Sequence, residues 1–267
     1  MKKRNENTTI NILKAKIVNG SLKPSAGVAK SSDIVEAFLK ENIFSSIKLH
    51  DKSFLLKFWE IEDSKNLYAD LARIENYLEK EKINIIIGGN HVISYAGIKK
   101  FKEKYKDGKI IIFDAHPDAE SDFFISNDTY LRILIKKEIV APEDIILIGI
   151  RNSSLKETEF LKKNKITLFT SYELLKNPKE AIRTLKMLDI PVYVSIDIDS
   201  IDPSYAPGTN FPESFGITPI QLFFILENIR NIKLADIVEI DSEKDINNLT
   251  CSLGAHIIYE LCYLLKK

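Results

Sequence analysis

The chain has 267 residues, 45% of them hydrophobic and 28% charged. That length and balance fit one large folded domain or two small ones and exclude a disordered or fibrous protein. Lys plus Arg and Asp plus Glu number 38 each, so no net field draws the chain to nucleic acid or to anionic lipid.

The start, Met1 to Asn7, is basic, but no apolar segment with a cleavage site follows it. No stretch approaches the roughly eighteen apolar residues of a membrane span, and a cytoplasmic protein is expected. From residue 65 onward, amphipathic segments alternate with short apolar, β-branched runs. In chain order the periodicity predicts a helix over 65–81, a strand over Ile83–Ile87, a helix over 92–106 and a strand over Lys109–Phe113. A helix over 128–137, a strand over Ile145–Gly149, a helix over 155–164 and a strand over Ile166–Phe169 follow. Then come a helix over 172–187, a strand over Val192–Ile196, a helix over 218–230, a strand over Ala235–Val238 and a helix over 250–266.

Several of the strands are apolar without alternation, as strands covered on both faces of a parallel sheet are. Thr218-Pro219 supplies a hydroxyl cap and a proline at the first helical position. The pattern predicts an α/β fold, a three-layer α/β/α arrangement with a mostly parallel, doubly wound sheet. No repeat or linker divides it, so residues 1–267 read as a single domain. Cys251 and Cys262 match no zinc spacing. Eleven positions apart on one helix, they lie too far from each other to bridge and read as small buried apolar residues.

The chemistry gathers where the strands end. Ile83–Ile87 runs into Gly88-Gly89-Asn90-His91, and Lys109–Phe113 into Asp114-Ala115-His116-Pro117-Asp118. Val192–Ile196 runs into Asp197-Ile198-Asp199, and Ala235–Val238 into Glu239. A lone Asp-x-Asp at a strand end is usually a loop or helix cap, and a lone histidine is usually structural. In a parallel α/β sheet, however, all strand C-termini open on one edge, where ligands bind. Side chains at alternate positions of an extended segment face the same way. Asp114, His116 and Asp118 can therefore face one point, as can Asp197 and Asp199, with His91 the sixth potential ligand. So many carboxylates without a cation would repel and bind protons. Six carboxylate-rich ligands suit two hard or borderline ions, Mn²⁺ more naturally than a thiolate-preferring metal. His256, inside the last helix, and His50, in a polar stretch, read as structural.

These residues resemble the ureohydrolase superfamily, which includes arginase, agmatinase, guanidinobutyrase and formimidoylglutamase. Its signatures are matched by Gly88-Gly89-Asn90-His91, by Asp114 to Asp118, by Ser195-Ile196-Asp197-Ile198-Asp199-Ser200-Ile201-Asp202-Pro203 running on to Ala206-Pro207-Gly208, and by Asp236-Ile237-Val238-Glu239. Gly149-Ile150-Arg151 is similar to a further family segment, and the resemblance spans about residues 83–265. It implies one Mn²⁺ held by His91, Asp114, Asp118 and Asp197, and a second held by His116, Asp114, Asp197 and Asp199. It further implies a small guanidino or amidino substrate held by Glu239. Asp118 passes a proton to the leaving amine, and urea is the co-product. Homo-oligomers, trimeric or hexameric, are expected on the same ground.

The departures fall near the chemistry. Asn127 stands where the family carries a proton-shuttling histidine, and an amide cannot titrate. Asn90 replaces an aspartate. Phe211 and Phe215 occupy a loop that favours smaller residues, where they either narrow the pocket or simply pack, with packing the leading expectation. Glu120 lies where arginase-like proteins hold a substrate carboxylate, which favours a neutral or cationic tail such as that of agmatine. The leading expectation is thus an agmatinase-like, binuclear manganese hydrolase. A formimidoyl or other amidino hydrolase stands as an alternative, as does a weakly active metal-binding homologue lacking the shuttle.

Overall fold

The computed structural model describes residues 8–41, 54–121 and 123–265. The basic start and His50 lie outside these. Its elements run β1 (Thr8–Lys16), α1 (Ala26–Lys40), β2 (Phe54–Glu62), α2 (Leu67–Lys80), β3 (Ile85–Ile87), α3 (Ile93–Lys104), β4 (Lys109–Phe113) and α4 (Tyr130–Lys136). They continue with β5 (Ile145–Ile150), α5 (Leu155–Lys163), β6 (Thr167–Thr170), α6 (Ser171–Lys176), α7 (Lys179–Lys186), β7 (Val192–Asp197), α8 (Pro219–Leu226), β8 (Ile232–Val238) and α9 (Leu249–Leu264).

The strands form one sheet in the order β2-β1-β3-β8-β7-β4-β5-β6. Every pairing in it is parallel, so the expected α/β architecture holds. The apolar strand runs serve both faces by alternation. Ile85, Ile87, Ile111, Phe113, Ile146 and Ile148 enter a core covered by α1, α8 and α9. Ile86, Ile110, Ile112, Ile145 and Leu147 enter the opposite core, against α2, α3 and α4. Thr218 and Gln221 close a reciprocal cap on α8 with Pro219 just inside it, as the sequence predicts. Cys251 and Cys262 are buried on α9 and form no disulfide, and His256 lies on the same helix.

Two differences have physical causes. The helix expected over 172–187 is two helices, because Pro178 lacks a donor and holds Asn177 in an extended conformation, ψ 87°. β1 and β2 were not anticipated. β2 is an edge strand whose exposure alternates along much of its length. β1 carries Lys14 into a buried position where Asp33, Glu36 and Glu60 lie within 2.6 Å of its ammonium. A buried lysine breaks the apolar pattern by which interior strands are recognised.

The sheet order places the site. β3, β8, β7 and β4 are consecutive neighbours at its centre, and these are the four strands that end in His91, Glu239, Asp197 and Asp114. A loop that must pass beside β1 reaches His91. Gly89 has φ +26°, and a side chain there would collide with the carbonyls of Ala15 and Ile17.

Candidate metal centre

His91 is the hub. Its Nδ1 lies 3.0 Å from Asp114 Oδ2, 2.9 Å from Asp118 Oδ2 and 3.2 Å from Asp197 Oδ2. His116 forms a second focus, with Nδ1 3.0 Å from Asp199 Oδ2 and 3.6 Å from Asp114 Oδ1. Two donor groups result, His91 with Asp114 and Asp197, and Asp114 with His116 and Asp199. Asp114 belongs to both. All six side chains named from the sequence thus meet at one rim. The five apart from His116 are buried.

Backbone donors aim the carboxylates. His116 N–H donates to Asp114 Oδ1 at 2.7 Å, Asp199 N–H to Asp197 Oδ1 at 2.8 Å, and Ala115 N–H to Asp199 Oδ1 at 3.0 Å. In each case Oδ1 is engaged and Oδ2 is turned to a histidine. Asp118 adopts φ +50°, a conformation that costs backbone energy and is kept where the surroundings enforce it.

The donor set is frustrated without a cation. Burial, and then the neighbouring Asp114, push the Asp118 carboxyl well above its ordinary range. Burial, Asp199 and Asp114 do the same to Asp197. Burial works against a proton on His116, yet Asp114 and Asp199 drive its imidazole up to about 12. His91 Nδ1 and Asp114 Oδ2 are buried and complete no hydrogen bond despite their proximity. Two imidazoles and four carboxylates, with unpartnered atoms aimed at common points, fit divalent cations of the hard or borderline class.

Glu239 stands beside the cluster. Its Oε1 accepts from His91 N–H at 2.8 Å, while Oε2 is buried without a partner. Burial raises the carboxyl to about 7. Behind His91 lies a second set of groups, with Ser195 Oγ and Tyr130 Oη each 3.0 Å from Nε2. Ser195, Ser94 and Tyr193 all donate to the buried Asp236.

Asn127 and Glu120 are turned to other work. Asn127 Oδ1 accepts from Leu22 N–H at 3.1 Å, and its own N–H donates to Gly20 O at 2.9 Å, which ties down the 20–22 loop. Glu120 accepts from Ser121 N–H and from Ser154, contacts that hold it below the usual carboxylate range. The expectation about the substrate tail therefore loses its footing at Glu120. Asn90 binds Asn19 O at 2.8 Å and caps Val92 N–H, a neutral replacement that still fixes the loop.

Phe215 does not pack as expected, being 86% exposed at φ +65°. Phe211 sits at the rim, its ring centroid 6.2 Å from that of His116 and beneath the Lys23 ammonium. Two residues here lacked a role in the sequence reading. Arg151 donates to the carbonyls of Gly149, Asp199, Ser200, Glu213 and Ser214, clasping the Pro-rich loop. Glu213 reaches Asn152 at 2.7 Å and approaches His116 Nε2 at 3.5 Å. Arg151 stood in the Gly149-Ile150-Arg151 segment that resembles the family, and Glu213 was signalled only by its place in a long loop.

A parallel sheet with this paired donor set at its central strand ends defines a class, and comparison supplies its name. The model of the Arginase family matches residues 29–263, and the chain belongs to that family. Among its relatives is the agmatinase of Bacillus subtilis, 35% identical over 207 residues, which cover 73% of this chain and 70% of the relative. The guanidinobutyrase of Pseudomonas aeruginosa is 30% identical over 191 residues, covering 67% of this chain and 60% of the relative. The structure of formimidoylglutamase from Bacillus subtilis superposes with a TM-score of 0.85 at 21% identity, over 100% of this chain and 89% of that one, a likeness of fold.

Proposed function

We propose that the chain is a binuclear manganese hydrolase of a guanidino C–N bond, agmatinase-like, converting agmatine to putrescine and urea. The observation that carries this is Asp114, whose two oxygens face the two histidines that anchor separate donor groups. One ion would be held by His91, Asp114, Asp118 and Asp197, the other by His116, Asp114, Asp197 and Asp199. When bound, the ions supply Lewis acidity that brings the ionisation of water towards neutral pH.

The chain's own residues do the rest. Glu239, with Oε1 committed to His91 N–H and Oε2 free, receives the guanidinium N–H groups and fixes its approach. Water oxygen adds to the guanidinium carbon, and the bond from that carbon to the substituted nitrogen breaks. Asp118 takes the proton released and delivers it to the departing amine. Agmatine is favoured among guanidines because agmatinases of Bacillus subtilis and Bacillus cereus stand among the relatives at 35% and 31% identity.

Protein loaded with Mn²⁺ and assayed for urea tests the reading. Agmatine should give the highest kcat/KM among agmatine, arginine and guanidinobutyrate. Urea from none of the three overturns it. Formamide or ammonia from a formimidoyl amino acid moves the substrate assignment to that class.

A further inference from the structure

Two hydroxyls meet the outer nitrogen of His91 at the same distance. Ser195 Oγ and Tyr130 Oη each lie 3.0 Å from Nε2. One imidazole nitrogen carries a single proton or a single lone pair, so a second hydroxyl is more than hydrogen-bond satisfaction of the ring requires. The Ser195 proton is committed elsewhere, because Ser195 donates to Asp236 Oδ1 at 2.6 Å. Ser195 therefore meets the ring as an acceptor. Tyr130 Oη lies against the same nitrogen from another element.

Tyr130 is wholly buried and opens α4. Its ring packs on that of His91 with centroids 4.9 Å apart and planes at 47°. The backbone at this point is bolted to the neighbouring ligand loop. Tyr130 N–H donates to Ser126 O at 3.1 Å and Leu131 N–H to Asp118 O at 3.2 Å. The segment that carries Tyr130 thus holds the loop of Asp118 by its backbone and the ring of His91 by a side chain. These two residues arrive from different strands, β3 and β4, and their side chains meet at 2.9 Å.

We propose that Tyr130 is a positioning residue of the metal centre. Its hydroxyl and ring fix the plane of His91 so that Nδ1 faces Asp114, Asp118 and Asp197. It thereby sets the affinity of the ion on the His91 side and leaves the His116 side alone. The inference rests on the reading of this cluster as a metal site. A ligating imidazole whose outer nitrogen is held loses less freedom on binding and keeps the correct nitrogen turned to the ion.

Tyr130→Phe keeps the ring and removes the hydroxyl, and calorimetric titration of the metal-free protein with Mn²⁺ reads the result. One of the two binding steps should weaken roughly 10-fold and the other stay within about twofold, with the metal-free melting temperature almost unchanged. Ser195→Ala should weaken the same step, and the double variant should lose it. Two steps as in the wild type overturn the inference and leave the metal site standing. Both steps weakening together with a fall in the metal-free melting temperature also overturns it, because a packing defect then explains the loss. Absence of any ion binding by the wild type removes the metal reading and this inference with it. The wild type offers a check independent of any variant. Loaded with diamagnetic Zn²⁺, it should show a slowly exchanging His91 Nε2 proton with a cross-peak to the Tyr130 ring, and absence of that signal contradicts the proposal.

Discussion

Asp114 Oδ2 lies 3.0 Å from His91 Nδ1, and both side chains are 1% exposed. The pair joins the loop after β3 to the loop after β4, although β8 and β7 lie between those strands in the sheet. Four neighbouring strand ends therefore share a single polar focus, and removing its central carboxylate should be felt on both sides.

Asp114→Ala is expected to abolish tight binding of both ions. A lost ligand exceeds the about 10- to 100-fold penalty typical of an outer-shell partner. The metal-free protein should also melt lower than the wild type, because His91 and His116 hold the Asp114 carboxyl below its ordinary range and the His116 N–H loses its acceptor. Calorimetric titration and thermal melting check the two halves separately.

Glu239→Gln preserves shape and one acceptor while removing charge. Hydrogen bonds to charged groups contribute about 1.5–3 kcal/mol, so kcat/KM should fall roughly 10- to 100-fold on any guanidine that is turned over. Metal binding should be unchanged, since Glu239 touches His91 only through backbone N–H. Steady-state kinetics alongside metal analysis decide this.

Acid stability should report the Lys14 cluster. Contacts with Lys14, and with Lys16, hold the Glu60 carboxyl down from its ordinary 4.5 to about 2. Asp33 and Glu36 are also held low, although burial acts the other way. For carboxylates with depressed folded values, the stability they contribute is full above the unfolded value and is lost as pH falls through the folded one. The wild type should lose stability between about pH 4.5 and pH 2. Lys14→Met should be less stable at neutral pH, with the gap closing by about pH 2. Urea unfolding across that range measures it.

Asn127→Ala should free the loop that Asn127 holds. The Leu22 amide loses its acceptor, and a net hydrogen bond of about 1 kcal/mol corresponds to exchange faster by roughly 5-fold or more. Metal binding should be unaltered. Hydrogen exchange resolved at Leu22 is the readout.

Much of this was legible in the sequence for a physical reason. Parallel strands buried on both faces must be apolar throughout, so the runs ending in His91, Asp114 and Asp197 stood out. The same topology then forced those ends to one edge. Lys14 hid β1 because its charge is neutralised by Asp33 on α1 and Glu60 on β2, partners remote in sequence. Asn127 and Glu120 were placed by likeness to a motif, and a motif records position without recording which neighbour claims the side chain. Leu22 and Ser154 claim these two. Tyr130 carried no signal, because an aromatic at the start of an amphipathic helix reads as core.

Anomalous diffraction from crystals grown with Mn²⁺ tests the central claim most directly. The account predicts two peaks roughly 3.5–4 Å apart on either side of Asp114, one against His91 and the other against His116. A single peak, or density that avoids those two imidazoles, contradicts it.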